Sequence, residues 1–85
     1  MRKAWTDDAW DDCLWWRLHD RKMLKRINQL IRDVERDPFN GIGKPEPLRG
    51  ELSRMWSRHI NHEDRLVYEI MDGRLIIYSA KDHYA

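Results

Sequence analysis

The sequence predicts an α/β domain of the α+β kind, two N-terminal helices packed on a mainly antiparallel, twisted sheet. Three observations carry this. Apolar residues recur at helical spacing between Thr6 and Asp37, strand-like runs fill the chain from Arg54 onward, and Asp72-Gly73 separates the last two runs. The 85 residues suffice for one modest core, so residues 1–85 are read as a single domain.

The segment RKAW has the makings of a short first strand. Thr6 then suits a helix N-cap, and Asp7 and Asp8 complement the positive end of the helix. Trp10, Leu14 and Leu18 recur every fourth residue, which predicts a helix over about residues 7–19. Asp20 caps a second helix, where Met23, Ile27, Leu30 and Val34 form an apolar stripe beside Leu24 and Ile31. Asp37-Pro38 stops it. FNGIGKPEPLRG, with two prolines and three glycines, reads as a loop with a short strand near Pro47–Arg49. RMWSRHI, RLVYEI and RLIIYSA follow as strands, the last two joined by a two-residue Asp-Gly hairpin turn.

That turn pairs Met71 with Arg74, Tyr68 with Ile77 and Arg65 with Ala80. An even turn over Asn61–Asp64 pairs Ile60 with Arg65 and Arg58 with Val67. Leu66, Tyr68, Ile70, Leu75 and Ile77 then form the core face. Arg58, Arg65, Glu69 and Arg74 stand on the open face among Trp56, Val67 and Tyr78.

Composition narrows the function. With 41% hydrophobic and 36% charged residues the chain is expected to be folded and soluble. Lys and Arg number 16 against 15 Asp and Glu, a balance that argues against gripping duplex nucleic acid over a broad basic face. A local basic cleft remains open, because Lys44 to Arg58 holds four basic residues and two acidic ones. No helix is basic enough on one face to suit a DNA-binding repressor. The absence of a long apolar run, an N-terminus unlike a signal peptide and the lone Cys13 make a cytoplasmic protein, without a membrane partner, the expectation.

The residues that can carry chemistry are few. His19, His59, His62 and His83 form no metal-ligand motif, and His59-x-x-His62 suits a solvated turn equally well, so no metal and no cofactor are expected. Cys13 reads as a small buried hydrophobe. Glu46, locked between Pro45 and Pro47, has little backbone freedom; it is either a positioned carboxylate or an ordinary loop glutamate. Arg65 reads alone as a solvated strand residue, and His83 and Tyr84 alone as a fraying tail. Together they make a metal-free ribonuclease set. RNA supplies its own nucleophile, the 2′-hydroxyl. Glu46 can take its proton, His83 can protonate the departing 5′-oxygen, and Arg65 can stabilise the phosphorane.

AWTDDAWDD, INQLIRD, DPFNGIGKPEPL, LSRMWSRHI, HEDRLVYEI and the terminal His-Tyr together resemble the YoeB toxins, the Txe/YoeB family of the RelE superfamily of ribosome-dependent mRNA interferases. The resemblance implies a fold related to the microbial ribonucleases and cleavage of translated mRNA in the A site of the 70S ribosome. It implies a YefM-type antitoxin as partner, and allows a homodimer that the sequence does not show. It puts the general base on Glu46, the general acid on His83, the phosphate-stabilising arginine on Arg65 and a substrate-orienting ring on Tyr84. Lys44, Arg49, Arg58 and His59 are the accompanying RNA-contact candidates. Arg49 stands where lysine is frequent and His59 where a second arginine is usual, so either Arg58 takes that role or the strand register is off by one. The alternative reading is an RNA- or ribosome-binding inhibitor of translation that does not cleave. Trp15 and Trp16, adjacent on the first helix, cannot both face the core, so at least one is expected to be partly exposed and available to a partner.

Overall fold

A computed structural model describes residues 1–82, and the candidates His83 and Tyr84 lie outside the described residues. The chain forms β1 (Arg2–Trp5), α1 (Asp7–His19), α2 (Arg21–Arg36), β2 (Glu46–Pro47), a 3-10 turn (Gly50–Leu52), β3 (Trp56–His59), β4 (Arg65–Met71) and β5 (Arg74–Ser79). The strands make one sheet in the order β1-β5-β4-β3-β2. All neighbours are antiparallel except β1, which runs parallel to β5. The two helices form the crossover between β1 and the rest of the sheet.

Local chemistry sets the helix ends as expected. Thr6 Oγ1 accepts from the Ala9 N–H at 3.1 Å, and Asp20 Oδ1 accepts from Lys22 and Met23 N–H at 3.1 and 3.4 Å. Helix α2 buries the expected stripe: Ile27, Leu30, Ile31 and Val34 meet Leu66, Tyr68, Leu75 and Ile77 of the sheet. Helix α1 does not bury the row whose spacing marks it as a helix. Trp10 is 56% exposed and Leu18 81%, while Ala9 and Trp16 are buried and Cys13 is half-buried.

The cause lies in polar anchors. Thr6 Oγ1 donates to the Tyr78 carbonyl at 2.8 Å, Asp12 Oδ2 accepts from the Ala80 N–H at 2.9 Å, and Trp16 Nε1 donates to the Ala80 carbonyl at 2.7 Å. All three bind the end of β5, so the helix must present that side, whose Ala9 and Cys13 permit close approach. Trp10, Leu14 and Leu18 have the same spacing on the opposite side. Of the paired tryptophans, Trp16 is buried and Trp15 is exposed. The Trp15 ring stacks on His19 at 4.2 Å between centroids.

The sheet register differs from the expectation in two places. The Asp72-Gly73 hairpin forms with both φ angles positive (51° and 72°), and it pairs Met71 with Arg74 and Tyr68 with Ile77. Beyond Tyr68 a bulge shifts the ladder, so Val67 pairs with Ser79 and the expected Arg65–Ala80 pair does not form. The β3–β4 connection is odd, not even. His59 pairs with Arg65 and Arg58 with Leu66, in place of Ile60 with Arg65 and Arg58 with Val67. Opposed residues share a face, so this one-residue slip moves Arg58 and Trp56 to the core side and puts His59 on the open side.

Candidate active site

The open face is built from strand edges. Glu46 pairs with Ser57, Ser57 with Val67 and Val67 with Ser79, a row across β2, β3, β4 and β5. His59 and Arg65 form the next row. Small, buried Ser57, Val67 and Ser79 make a floor, and exposed Glu46 with half-buried His59 and Arg65 make its rim. Ser79 Oγ has no hydrogen-bond partner among the described residues.

Each rim residue is held by backbone. Glu46 sits in a strand between two prolines, so its φ/ψ freedom is cut on both sides. Arg65 Nη1 donates to the carbonyls of Asn61, His62 and Asp64, each at 3.2 Å. Its hydrogen bonds among the described residues use that one nitrogen, which leaves Nε and Nη2 to meet an anion. The Arg65 N–H donates to the Asp82 carbonyl at 3.0 Å, and the Asp82 N–H donates to Asp64 Oδ1 at 2.7 Å. The residue before His83 is thus tied to the candidate phosphate-binding arginine. The Asn61–Asp64 turn that organises this is itself cross-braced: Asn61 Oδ1 accepts from Glu63 and Asp64 N–H at 2.8 and 2.7 Å, and Asn61 Nδ2 donates to Asp64 Oδ2 at 3.0 Å. The sequence signal for this bracing, an Asn followed three residues later by Asp, was legible but read only as a turn.

His59 is the electrostatic centre of the rim. Burial lowers its pKa first, and the Arg65 charge lowers it further, with Glu46 opposing and Lys44 and His62 adding to the lowering. The neutral imidazole therefore prevails at pH 7. The His59 N–H donates to the Gly43 carbonyl at 2.6 Å, which fixes the loop that presents Lys44. Gly43 must be glycine here. Its φ is 80°, and a Cβ would lie 2.8 Å from Leu30 Cδ2 and 3.1 Å from the His59 carbonyl oxygen. Arg49 is exposed beyond β2, at the start of the 3-10 turn.

Arg58, expected on the open face, is instead completely buried. Its guanidinium donates to Asp33 Oδ2 at 2.6 Å, to Tyr68 Oη at 3.1 Å and to the carbonyls of Asp37, Asn40 and Ile42 at 2.6, 3.2 and 3.1 Å. Asp33 also accepts from Arg36 Nε and the Ile42 N–H, both at 2.9 Å. Arg36, that backbone N–H and Arg58 together hold its carboxyl far below the usual carboxylate range. Arg58 is therefore the buried pin under the loop that leads to Lys44 and Glu46. The sequence carries no signal that separates a buried arginine from an exposed one when register is off by one.

The chain is similar to known proteins over nearly its whole length. The family described as YoeB-like toxin of bacterial type II toxin-antitoxin system matches residues 5–84. Toxin YoeB of Synechocystis is 56% identical, covering 99% of this chain and 98% of that relative. A YoeB/ParE toxin structure from Agrobacterium tumefaciens superposes with a TM-score of 0.96 at 43% identity, covering 99% of this chain and 100% of the other. A YoeB dimer and a heterotetrameric YoeB–YefM complex, both from Staphylococcus aureus, superpose with TM-scores of 0.92 and 0.90, each at 40% identity and covering 99% of this chain and 98% of theirs. The chain belongs to the YoeB-like toxin family of bacterial type II toxin-antitoxin systems.

Proposed function

We propose that the chain is an endoribonuclease that cuts translated mRNA in the ribosomal A site without metal, using the 2′-hydroxyl of the substrate as nucleophile. The observation that supports this most is the β2–β3–β4 register, which gathers Glu46, His59 and Arg65 on one open face. Glu46 takes the 2′-hydroxyl proton. Arg65, its Nη1 already committed to the turn, directs Nε and Nη2 at the charge that grows on phosphorus. His83 returns a proton to the departing 5′-oxygen and Tyr84 orients the strand by stacking. Lys44 and Arg49 contact flanking phosphates. Arg58 holds the loop in place of the RNA contact first assigned to it.

The neutral His59 favours one second reading, a ribosome- or RNA-bound inhibitor that does not cleave, because a neutral ring holds phosphate less firmly than arginine. Primer extension on translated mRNA separates the two. New 5′ ends that vanish with Glu46→Gln support cleavage, and arrested translation with intact message supports the binder.

As antitoxin we propose a YefM-type protein, acting on a chain at work in the cytoplasm. The exposed Trp10, Leu14 and Leu18 of α1 offer it an apolar row. Leu18→Lys should weaken antitoxin binding without unfolding the toxin. If it alters only self-association, that row serves a homodimer. Among the described residues no helix is long and apolar enough to cross a membrane.

A further inference from the structure

Beside His59 the surface opens into a cleft of about 450 Å³, lined by Arg26 and by residues of the loop and the β3–β4 turn, Gly43, Lys44 and 59–62. Among the described residues no carboxylate lines it. Its walls are fixed from three sides. Asn61 Nδ2 contacts Met23 Sδ at 3.6 Å and seats the β3–β4 turn against α2. The 2.6 Å bond from the His59 N–H to the Gly43 carbonyl closes the loop side. Lys44, which lines the cleft, holds a left-handed backbone (φ 53°), an uncommon conformation for a side-chain-bearing residue. Arg26 is half-buried on the α2 wall and His62 is exposed at the mouth.

His59 belongs to both places. It borders the cleft and pairs with Arg65 in the rim of the open face. An RNA strand whose scissile phosphate lies at Glu46 and Arg65 therefore has a continuous path into the cleft. We propose that the cleft binds a backbone phosphate of the substrate RNA, one step from the cleaved bond, with Arg26 and Lys44 as fixed cations, His62 as a polar partner at the mouth and His59 as a cation supplied by protonation. The inference builds on the ribonuclease reading and adds two residues, Arg26 and His62, and a dependence on pH.

The charge around His59 sets the sign. Facing it are Arg26 from α2, Lys44 from the loop, Glu46 from β2, His62 from the turn and Arg65 from β4. Without a phosphate, burial and the charges of Arg65 and Lys44 discourage its protonation, with Glu46 opposing. A phosphate in the cleft reverses that balance, so binding takes up protons and is tighter at low pH.

The test is a titration of the full chain with a short single-stranded RNA, 2′-O-methylated throughout so that no 2′-hydroxyl can attack. Affinity is followed by NMR from about pH 5.5 to about pH 8, a range that spans imidazole titration. We expect affinity to fall about tenfold or more over that range, since a hydrogen bond to a charged group is lost. Arg26→Gln should lower it at every pH. His62→Asn should lower affinity by removing a polar partner at the mouth, and the imidazole pKa of His59 should rise on binding. Thermal melts of each variant establish that the fold is kept. Arg26→Gln and His62→Asn titrating like the wild type would overturn the subsite. So would an Arg26→Gln defect confined to vacant ribosomes, because the cleft would then hold ribosomal RNA. Cleavage of translated mRNA is read separately. A variant that still cuts but has lost none of its oligonucleotide affinity counts against the cleft alone, and a chain that binds through the cleft but never cuts counts against the ribonuclease reading alone.

Discussion

Replacing Arg58 with alanine should cost a large share of the chain's stability, although the residue lies one position from the open face. The side chain is fully buried and makes five hydrogen bonds, one to Asp33, one to Tyr68 and three to loop carbonyls. Removing one partner of a buried ion pair costs about 3–5 kcal/mol, chiefly because the other polar groups lose their partner in a place water reaches poorly. At about 0.05–0.15 kcal/mol per residue, a domain of this size has roughly 4–13 kcal/mol to lose. At roughly 4–8 °C per kcal/mol, the melting temperature should fall by about 12 °C or more. Arg58→Lys keeps a charge near Asp33 but loses the planar fork, and should fall between wild type and alanine. The double variant Arg58→Ala/Asp33→Asn should be less unstable than the two single losses summed. Circular-dichroism melts and urea midpoints give these values. An Arg58→Ala protein that melts within a few degrees of wild type yet no longer cuts RNA would refute the reasoning, and would return Arg58 to the open face.

Glu46→Gln should fold normally and lose about 10²–10⁴ in single-turnover cleavage, the usual worth of one proton transfer. Arg65→Lys should also be impaired, because an ammonium lacks the geometry that grips phosphate while bonded to the turn. Removal of His83–Ala85 should abolish toxicity in growing cells with a small change in melting temperature; a collapsed transition would make the tail structural. Burial raises the Asp12 pKa, outweighing the Ala80 N–H that lowers it. A raised folded-state value means the stability of the neutral form is lost as pH rises through it, so Asp12→Asn should melt higher than wild type at pH 7 and about equally near pH 3. Asp33 has the opposite sign. Its lowered value stabilises the fold fully above about pH 4 and is lost as pH falls below that, which Asp33→Asn should remove.

Helix boundaries and caps were legible in the sequence because they depend on local chemistry, whereas the short strand expected near Pro47–Arg49 lies at Glu46–Pro47 and the 3-10 turn after it was not foreseen. Thr6 and Asp20 bond the backbone next to them, and Asp72-Gly73 needs no distant partner. The α2 stripe was legible because it is the only apolar row on its helix. On α1 two rows compete with equal spacing, and bonds from Thr6, Asp12 and Trp16 to the far end of β5 decide between them. Such long-range bonds leave no periodic trace. Register failed for a related reason: a bulge at Val67/Tyr68 and an odd connection after His59 each shift the pattern by one residue, and the residue types on either side are compatible with both pairings. That slip exchanged Arg58 and His59, which turned a buried pin into an apparent RNA contact. Glu46 was singled out because two prolines flank it and Arg65 because strand alternation put it on the open face, where the His59–Arg65 pairing also lies.

The central claim is that the substrate's own 2′-hydroxyl makes the cut. A message carrying one 2′-deoxy nucleotide immediately 5′ of the scissile phosphate, translated to that codon in the presence of the toxin, tests it most directly. Resistance at that bond alone is predicted, with the all-ribose message giving an upstream fragment ending in a 2′,3′-cyclic phosphate or 3′-phosphate and a downstream fragment beginning with a 5′-hydroxyl. Efficient cutting of the deoxy-substituted bond would contradict the account and assign the attack to water.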